Sequence, residues 1–448
     1  MWKSIRHTPL AGLGLAAALC VQPVAAESLN LRQAAEAVLQ QNPEINLSRA
    51  RIEQAASGLK QADGAGLPRV NLSLTATRTN DALSAFGLKL GQERISAADF
   101  APAALNDPKD INNLNTRIEM QAPLYTGGQI QARQAEAKAH VRAAQAGDEA
   151  ARQRLLLDAL RAYQSVHLAR AYREVAAQSQ KTATEYVRVT ENLHKQGMAV
   201  KSDRLSARVN LEDAGLRQRE AQRLEANALD QLKLLMGRPL GDSIDVAEES
   251  LLKMPAGHLD DLRAQALNLH PTLQALRSQV EAAGESVNAA RGAKKPQISA
   301  LARQDWNDKG LGLDATSYTL AGVLTWNAFD GGFNDAAIDR AQAARLEHTA
   351  RLRQAEDGIA FQVTDAYRRA EEAEARITAR EAALQDAEEA QRLTQIRYQN
   401  GVTTLVDLFN AQAQLDKARA GLAQARYDRS LARGELLHAA GLLSPELF

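Results

Sequence analysis

Two long stretches without proline constrain this chain more than any other feature. Its 12 prolines are spread over 448 residues, yet none lies between Pro123 and Pro239 or between Pro296 and Pro445. Inside these gaps, residues 129–192 and 333–397 carry apolar side chains at helical steps among Gln, Arg and Glu. Ile130, Ala137, Val141 and Ala144 open the first series, and Leu156, Leu160 and Tyr163 continue it. Such spacing predicts α-helix, because a proline would break the i→i−4 ladder and none is present. Each stretch is about 65 residues, or ~100 Å at ~1.5 Å per residue. A helix of that length outruns any ordinary globular core and predicts a coiled coil or a helical barrel. The 86 alanines and the aromatic content of 4% agree, since they suit thin helices packed closely.

The long helices belong to an internal repeat. Asn42-Pro43 recurs as His270-Pro271 and Pro68 as Pro296, both 228 residues apart. Tyr125-Thr126-Gly127-Gly128 recurs as Phe329-Asp330-Gly331-Gly332, now 204 apart, and Gly197, Asp203, Ala207 and Gly237 recur at 204 as Gly401, Asp407, Ala411 and Gly441. Two offsets mean one plan used twice, with 24 extra residues in the first copy between Pro68 and Tyr125. These fall near residues 81–112, whose Pro102, Pro108 and several Asn and Asp read as a surface loop. The chain divides accordingly: 27–237 as the first repeat, 238–258 as a linker, 259–448 as the second. Glycines 197 and 401 break each long helix, and a further helix follows, 201–236 and 405–440. Shorter helices are expected over 44–63 and 272–292. A short helix and the following one, stacked end to end, would match one long helix and lie beside it.

Strand pairs stand between the helices. Residues 69–79 alternate Val70, Leu72, Leu74 and Ala76 with Asn71, Ser73, Thr75 and Thr77. Residues 116–124 set Ile118, Met120, Ala122 and Leu124 against Arg117, Glu119 and Gln121. Tyr318, Leu320, Leu324 and Trp326 share one face of 317–326, and 297–306 shows a weaker alternation through Ile298 and Ala300. About 10 residues is the length of a tilted membrane strand. One such strand alone would read as part of a soluble sheet; four of them beside ~100 Å helices do not. Tyr125, Trp326 and Phe329 sit where strand meets helix, the level of an interfacial aromatic girdle. Four strands cannot close a barrel, whereas three copies of the chain give twelve strands without an edge and gather the helices into a tube.

The first 26 residues read as a secretory signal peptide. Lys3, Arg6 and His7 precede an apolar run, and Val24-Ala25-Ala26 is a small-residue cleavage site. Leu19 before Cys20 argues against a lipoprotein. Cleavage would leave 52 basic and 54 acidic side chains, a net charge of −2, and no cysteine. No stretch after Ala26 reaches ~18 consecutive apolar residues, so membrane insertion falls to the strands. A balanced charge carries no nucleic-acid footprint. The eight histidines form no metal-ligand pair, and Gly127-Gly128 lacks the Lys-Ser/Thr of a phosphate loop. No catalytic constellation emerges, so neither enzyme nor cofactor is expected.

The ordered motifs carry a family resemblance. Leu29-Asn30-Leu31-Arg32-Gln33-Ala34 leads to Asn42-Pro43, then come Leu124-Tyr125-Thr126-Gly127-Gly128, Phe329-Asp330-Gly331-Gly332, and Arg397-Tyr398-Gln399-Asn400-Gly401 leading to Asp407-Leu408. Across residues 28–443 the chain resembles the TolC family of outer-membrane efflux channels. The resemblance implies a mostly α-helical homotrimer with a 12-stranded membrane β-barrel, four strands per chain, continuous with a long α-helical periplasmic barrel. It implies an equatorial domain built from about 238–258 and the chain ends. The function implied is the exit duct of a tripartite efflux or type I secretion system. The partners implied are a periplasmic adaptor, an inner-membrane pump and outer-membrane lipid, with substrate choice usually left to the pump. The turns at Gly197 and Gly401 would meet the adaptor. By position Asp407 fills an acidic ring at the pore constriction, and Asn410 stands where a second acidic ring would be. Tyr398 and Asp203 match a hydrogen-bonded gate tie, with Thr403 in place of the arginine that completes it. A plainer reading of Asp203 and Asp407 is that an acid six residues past a turn glycine supports the next helix start. The competing readings of the whole chain are a periplasmic adaptor, which would have one helical hairpin where this chain shows two hairpins and two strand pairs, and a soluble periplasmic coiled-coil scaffold, which would leave the envelope without detergent.

Overall fold

The computed structural model describes residues 27–247, 252–255 and 257–448; the expected signal peptide lies outside them. The first half runs β1 (Glu27–Leu29), α1 (Leu31–Gln41), α2 (Pro43–Gly64), β2 (Arg69–Thr79), α3 (Ala82–Gly91), α4 (Pro102–Asn106), β3 (Ile111–Tyr125), α5 (Gln129–Lys195) and α6 (Lys201–Leu235). The second runs β4 (Ile244–Val246), α7 (Leu259–Leu269), α8 (Pro271–Ala293), β5 (Gln297–Asp308), β6 (Thr316–Thr325), α9 (Phe333–Gln399) and α10 (Leu405–Ala439). Helices α5 and α9 are 67 residues each, ~100 Å long.

The repeated dipeptides turn out to be helix starts. Asn42 caps α2 by accepting from the Glu44 N–H, His270 caps α8 by accepting from the Thr272 N–H, and in both a proline fills the first helical position. Proline is suited there because its missing N–H would be unsatisfied anyway and its φ is already helical. A short helix and a following helix do flank each long one: α2 and α6 both pack on α5, and α8 and α10 on α9. The halves also lock across each other, α8 and α10 lying against α5.

The main core is at mid-height. Leu31, Ala34 and Val38 of α1 meet Leu155, Leu156 and Leu160 of α5 and Leu232 and Met236 at the end of α6. The Tyr163 hydroxyl, fully buried, lies 3.1 Å from the Leu29 carbonyl and 3.2 Å from that of Ala247, pinning the parallel β1–β4 pair against α5. A second cluster joins Leu262 and Ala266 of α7 to Ile359 and Val363 of α9 and Leu436 of α10. The linker segment and the chain's first described strand thus meet at this level.

Strands β2, β3, β5 and β6 form one antiparallel sheet in that order, so β2 and β6 are its two edges. Two hairpins from different halves are joined by β3 and β5, which pair over eleven positions. Sheet β5 is a full 12-residue strand, although its sequence alternates only weakly.

The insertion differs from the expected loop. It holds α3, a 3₁₀ turn at Ala97–Phe100 and α4. Asp81 caps α3 through the Ser84 N–H, Ser96 and Asp99 form a reciprocal capping box, and Pro102 begins α4. Phe86 and Phe100 meet edge to face at 5.7 Å, and Lys89 pairs with Asp99. Asp81, Asp99 and Pro102, of residue types read as loop formers, act here as capping and first-turn residues.

Candidate functional site

Cross-strand register sorts the sheet into two faces. Val70 opposes Met120, Leu72 opposes Ile118, Met120 opposes Ala302, and Ala302 opposes Leu320. This apolar face is bare within the chain: Leu72 is 73% exposed and Leu320 74%. On a protein in water such a sheet would be an aggregation surface, whereas against hydrocarbon it is the expected outer surface of a barrel. Among the described residues no helix is long and apolar enough to cross a membrane.

The opposite face is polar and cross-linked. Arg117 of β3 donates to Asp305 of β5 at 2.7 Å, and Arg303 lies 3.0 Å from the other carboxylate oxygen. Asn115 donates to Asp305 at 3.1 Å and to Asn307 at 3.1 Å, and Asn113 donates to Asn307 at 3.0 Å. Asp305 is only 7% exposed, and two guanidinium groups offset the cost of removing its charge from water. This ladder was missed by sequence reasoning. Arg117 was placed on the polar side of its strand, but nothing local indicates that β3 pairs with β5.

The strand-to-helix junctions use paired glycines with positive φ: Gly127 (66°) and Gly128 (87°) before α5, Gly331 (66°) and Gly332 (88°) before α9. A left-handed conformation is nearly free only for glycine. At Gly127 a second reason operates, because a Cβ would lie 2.4 Å from the Gly292 carbonyl oxygen. Tyr125, Trp326 and Phe329 are exposed at this level, and the Trp326 indole donates to the Lys294 carbonyl at 3.2 Å.

At the far end, each helix pair turns through a glycine. The Gly197 N–H donates to the His194 carbonyl and the Met198 N–H to that of Leu193; Gly401 and Val402 repeat the pattern onto Tyr398 and Arg397. This is the six-to-one and five-to-two closure of a Schellman turn, with φ of 75° and 73° at the glycines. Met198, Val200, Val402 and Val406 are left exposed around the turns.

Asp407 and Asn410 are both exposed near the start of α10. The Asp407 carboxylate accepts from Thr403 Oγ1 (2.8 Å), Thr404 Oγ1 (2.7 Å) and the Thr404 N–H (3.1 Å). Thr404 in return caps the Asp407 N–H, completing a capping box. The Thr404 and Thr403 hydroxyls, followed by the Thr404 N–H, hold this acid below the ordinary carboxylate range. Asp203 occupies the same third helical position in α6, but there the capping position is Val200, which offers no side-chain acceptor.

The Tyr398–Asp203 hydrogen bond is not made within the chain. The Tyr398 hydroxyl is 3.3 Å from Thr190 Oγ1 on α5, both side chains being buried. Tyr398 packs with Tyr186, Ala207, Leu405 and Leu408, and this cluster fastens the two hairpins at their tips. One turn further in, Gln391 donates to the Tyr186 hydroxyl (2.9 Å), which donates to Gln412 (3.2 Å). Burial pushes the Tyr186 hydroxyl up to about 12, so it stays a donor. Tyr186, Gln391 and Gln412 have no counterpart at the 204-residue offset, and Thr190, which recurs as Thr394, was not singled out by sequence reasoning. Among the described residues no cluster of metal-ligating side chains occurs.

An apolar-jacketed, polar-faced sheet on the end of ~100 Å helical hairpins defines a subunit of an outer-membrane channel. The chain belongs to the outer membrane efflux protein family, whose model matches residues 34–238 and 262–442. That membership places it in the outer membrane, with the helices extending into the periplasm. The toluene efflux pump outer membrane protein TtgC of Pseudomonas putida is 24% identical over 299 residues, covering 64% of this chain and 60% of that protein. The alkaline protease secretion protein AprF of Pseudomonas aeruginosa is 26% identical over 303 residues, 65% of this chain and 62% of that one. The similar stretch thus spans less than two thirds of these relatives. The fold matches more completely: the Campylobacter jejuni CmeC outer membrane channel superposes with a TM-score of 0.80 at 17% identity, covering 98% of this chain and 94% of CmeC.

Proposed function

We propose that three copies of this chain form the outer-membrane exit duct of a tripartite efflux or type I secretion assembly, passing substrate from a periplasmic adaptor and inner-membrane pump to the exterior, without catalysis. The observation that carries this is the sheet itself. It has four strands, two unpaired edges and an exposed apolar face. Unpaired backbone groups are intolerable in hydrocarbon. A threefold ring that pairs β2 of one protomer with β6 of the next leaves no edge and closes the polar face around a water-filled lumen. Relatives named for toluene efflux and for protease secretion bracket the cargo between small hydrophobic molecules and proteins.

In this reading the glycine turns at 197 and 401 and their exposed apolar residues receive the adaptor. Three Asp407 carboxylates ring the closed end, with Asn410 as a neutral neighbour. Their mutual repulsion would raise each acid, while the Thr403 and Thr404 hydroxyls act the other way. A ring that stays charged attracts cations. Single-channel conductance of the detergent-purified protein in planar bilayers tests it. The wild type is expected to prefer cations and to be blocked by a trivalent cation from the periplasmic side. Asp407→Ala should weaken both effects, and Asp407→Asn should weaken them while keeping most of the cap geometry. Native mass spectrometry showing a stable monomer that needs no detergent would overturn the assembly.

A further inference from the structure

The helical insertion between β2 and β3 leans to one side of the sheet, and that side is the polar one. Gln92, just after α3, is 5% exposed and donates through Nε2 to the Asn112 carbonyl (2.8 Å) and to Asn113 Oδ1 (2.9 Å). Asn113 is 3% exposed and belongs to the row Asn113, Asn115, Arg117 that faces Asn307 and Asp305. Gly91 approaches the same row, since a Cβ there would stand 3.8 Å from Asn307 Nδ2. Arg94 donates to Gln92 Oε1 at 2.8 Å, fixing the amide. The anchor therefore joins α3 to both β3 and, through Asn113 and Asn307, to β5.

From this we infer that the insertion is a lid over the outer mouth of the channel: α3 is moored on the lumen-facing asparagines, and three copies narrow the exit. The inference rests on the barrel reading above, in which the polar face is the lumen. A loop splayed outward from the barrel would be tethered to the apolar face. This one is tethered by a buried amide that reaches the lumen-face Asn113 side chain and the Asn112 carbonyl, and is itself fixed by Arg94 of the insertion. Its own structure also resists collapse. The Phe86–Phe100 contact and the Lys89–Asp99 pair brace α3 against the 3₁₀ turn, and the counterpart connection between β5 and β6 is only residues 309–315. The lid thus comes from the first half alone. It sits at the opposite end of the duct from Asp407 and sets an upper size for what leaves.

The test uses the shortage of native thiols, Cys20 being the one cysteine in the sequence. Thr75→Cys places a thiol on the polar face below the lid, Leu72→Cys places one on the apolar face, and Leu311→Cys places one on the exposed β5–β6 connection. Intact cells are treated with a small charged maleimide or with a polyethylene-glycol maleimide too bulky for a narrowed mouth. We expect the bulky reagent to label Leu311→Cys but to be excluded from Thr75→Cys, and to gain access when residues 82–109 are replaced by a two-residue turn. Gln92→Ala, which removes only the mooring amide, should increase bulky labelling of Thr75→Cys and serves if the shortened chain does not assemble. Equal bulky labelling of Thr75→Cys with and without the insertion overturns the lid, as does labelling of the Gln92→Ala chain no faster than its parent. If the small reagent fails at Thr75→Cys even in the shortened chain, or prefers Leu72→Cys, the channel reading itself falls, and the lid with it.

Discussion

The two halves share a plan but enforce it at matching positions by different means. Gly127 and Gly331 have the same φ of 66°, yet Gly127 is pressed against the Gly292 carbonyl whereas a Cβ at Gly331 would meet nothing within 4 Å. Asn42 and His270 cap equivalent helices, one with a side chain that never titrates and the other with an imidazole. Val200 and Thr404 precede equivalent helices, and only Thr404 supplies a side-chain cap. The repeat conserves the backbone path; the chemistry holding that path is renewed separately in each half.

The junction glycines should show the largest difference. Alanine at Gly331 has to bear a left-handed backbone, about 1–3 kcal/mol. Alanine at Gly127 bears the same strain and also drives Cβ into the α8 carbonyl, adding roughly 1–3 kcal/mol of overpacking. Thermal unfolding in detergent should therefore rank Gly127→Ala below Gly331→Ala. Equal losses would mean that φ alone matters at both.

The capping histidine should make the second half sensitive to acid. His270 is buried beside His438, and burial, then His438, brings it down from the ordinary 6.5 to about 4. His438 is lowered as well, by burial and then by Arg161. A histidine lowered in the fold binds its proton more readily when unfolded, so stability rises with pH across this window. It is complete above about 6.5 and drains as pH falls towards 4. Protonation also removes the lone pair that accepts from Thr272. Melting followed from pH 7 to pH 4 should show this fall, and His270→Asn, which copies Asn42, should flatten it.

The smallest effect concerns the helix starts at the tip. Thr404→Val should cost about 1 kcal/mol and Val200→Thr should return less than that. Hydrogen exchange in the first turns of α6 and α10 reports the change directly. If Thr404→Val leaves exchange in α10 unaltered, Asp407 is held for the pore and not for the cap.

Much of this protein was legible without coordinates because the signals are local. Helix periodicity, proline-free length, strand alternation and strand-to-helix glycines depend on neighbours within a few residues, and the repeat printed each signal twice. The helix boundaries moved little, 44–63 becoming Pro43–Gly64 and 333–397 becoming Phe333–Gln399, whereas strand 116–124 grew to Ile111–Tyr125. The parity of Val70, Leu72 and Leu74 was enough to separate the apolar from the polar face, since side chains alternate strictly along a strand. Partners were another matter. Composition marked residues 81–112 as irregular, and only tertiary contacts show short helices moored on Asn113. Position suggested Asp203 for Tyr398, whereas within the chain the Tyr398 hydroxyl lies beside Thr190 of α5. Arg117 was known to be polar-facing, but its carboxylate lies 188 residues away on β5. A residue's own periodicity fixes which way it points. What it meets is set by the register between segments distant in sequence, and that register exists only once the two halves have folded together.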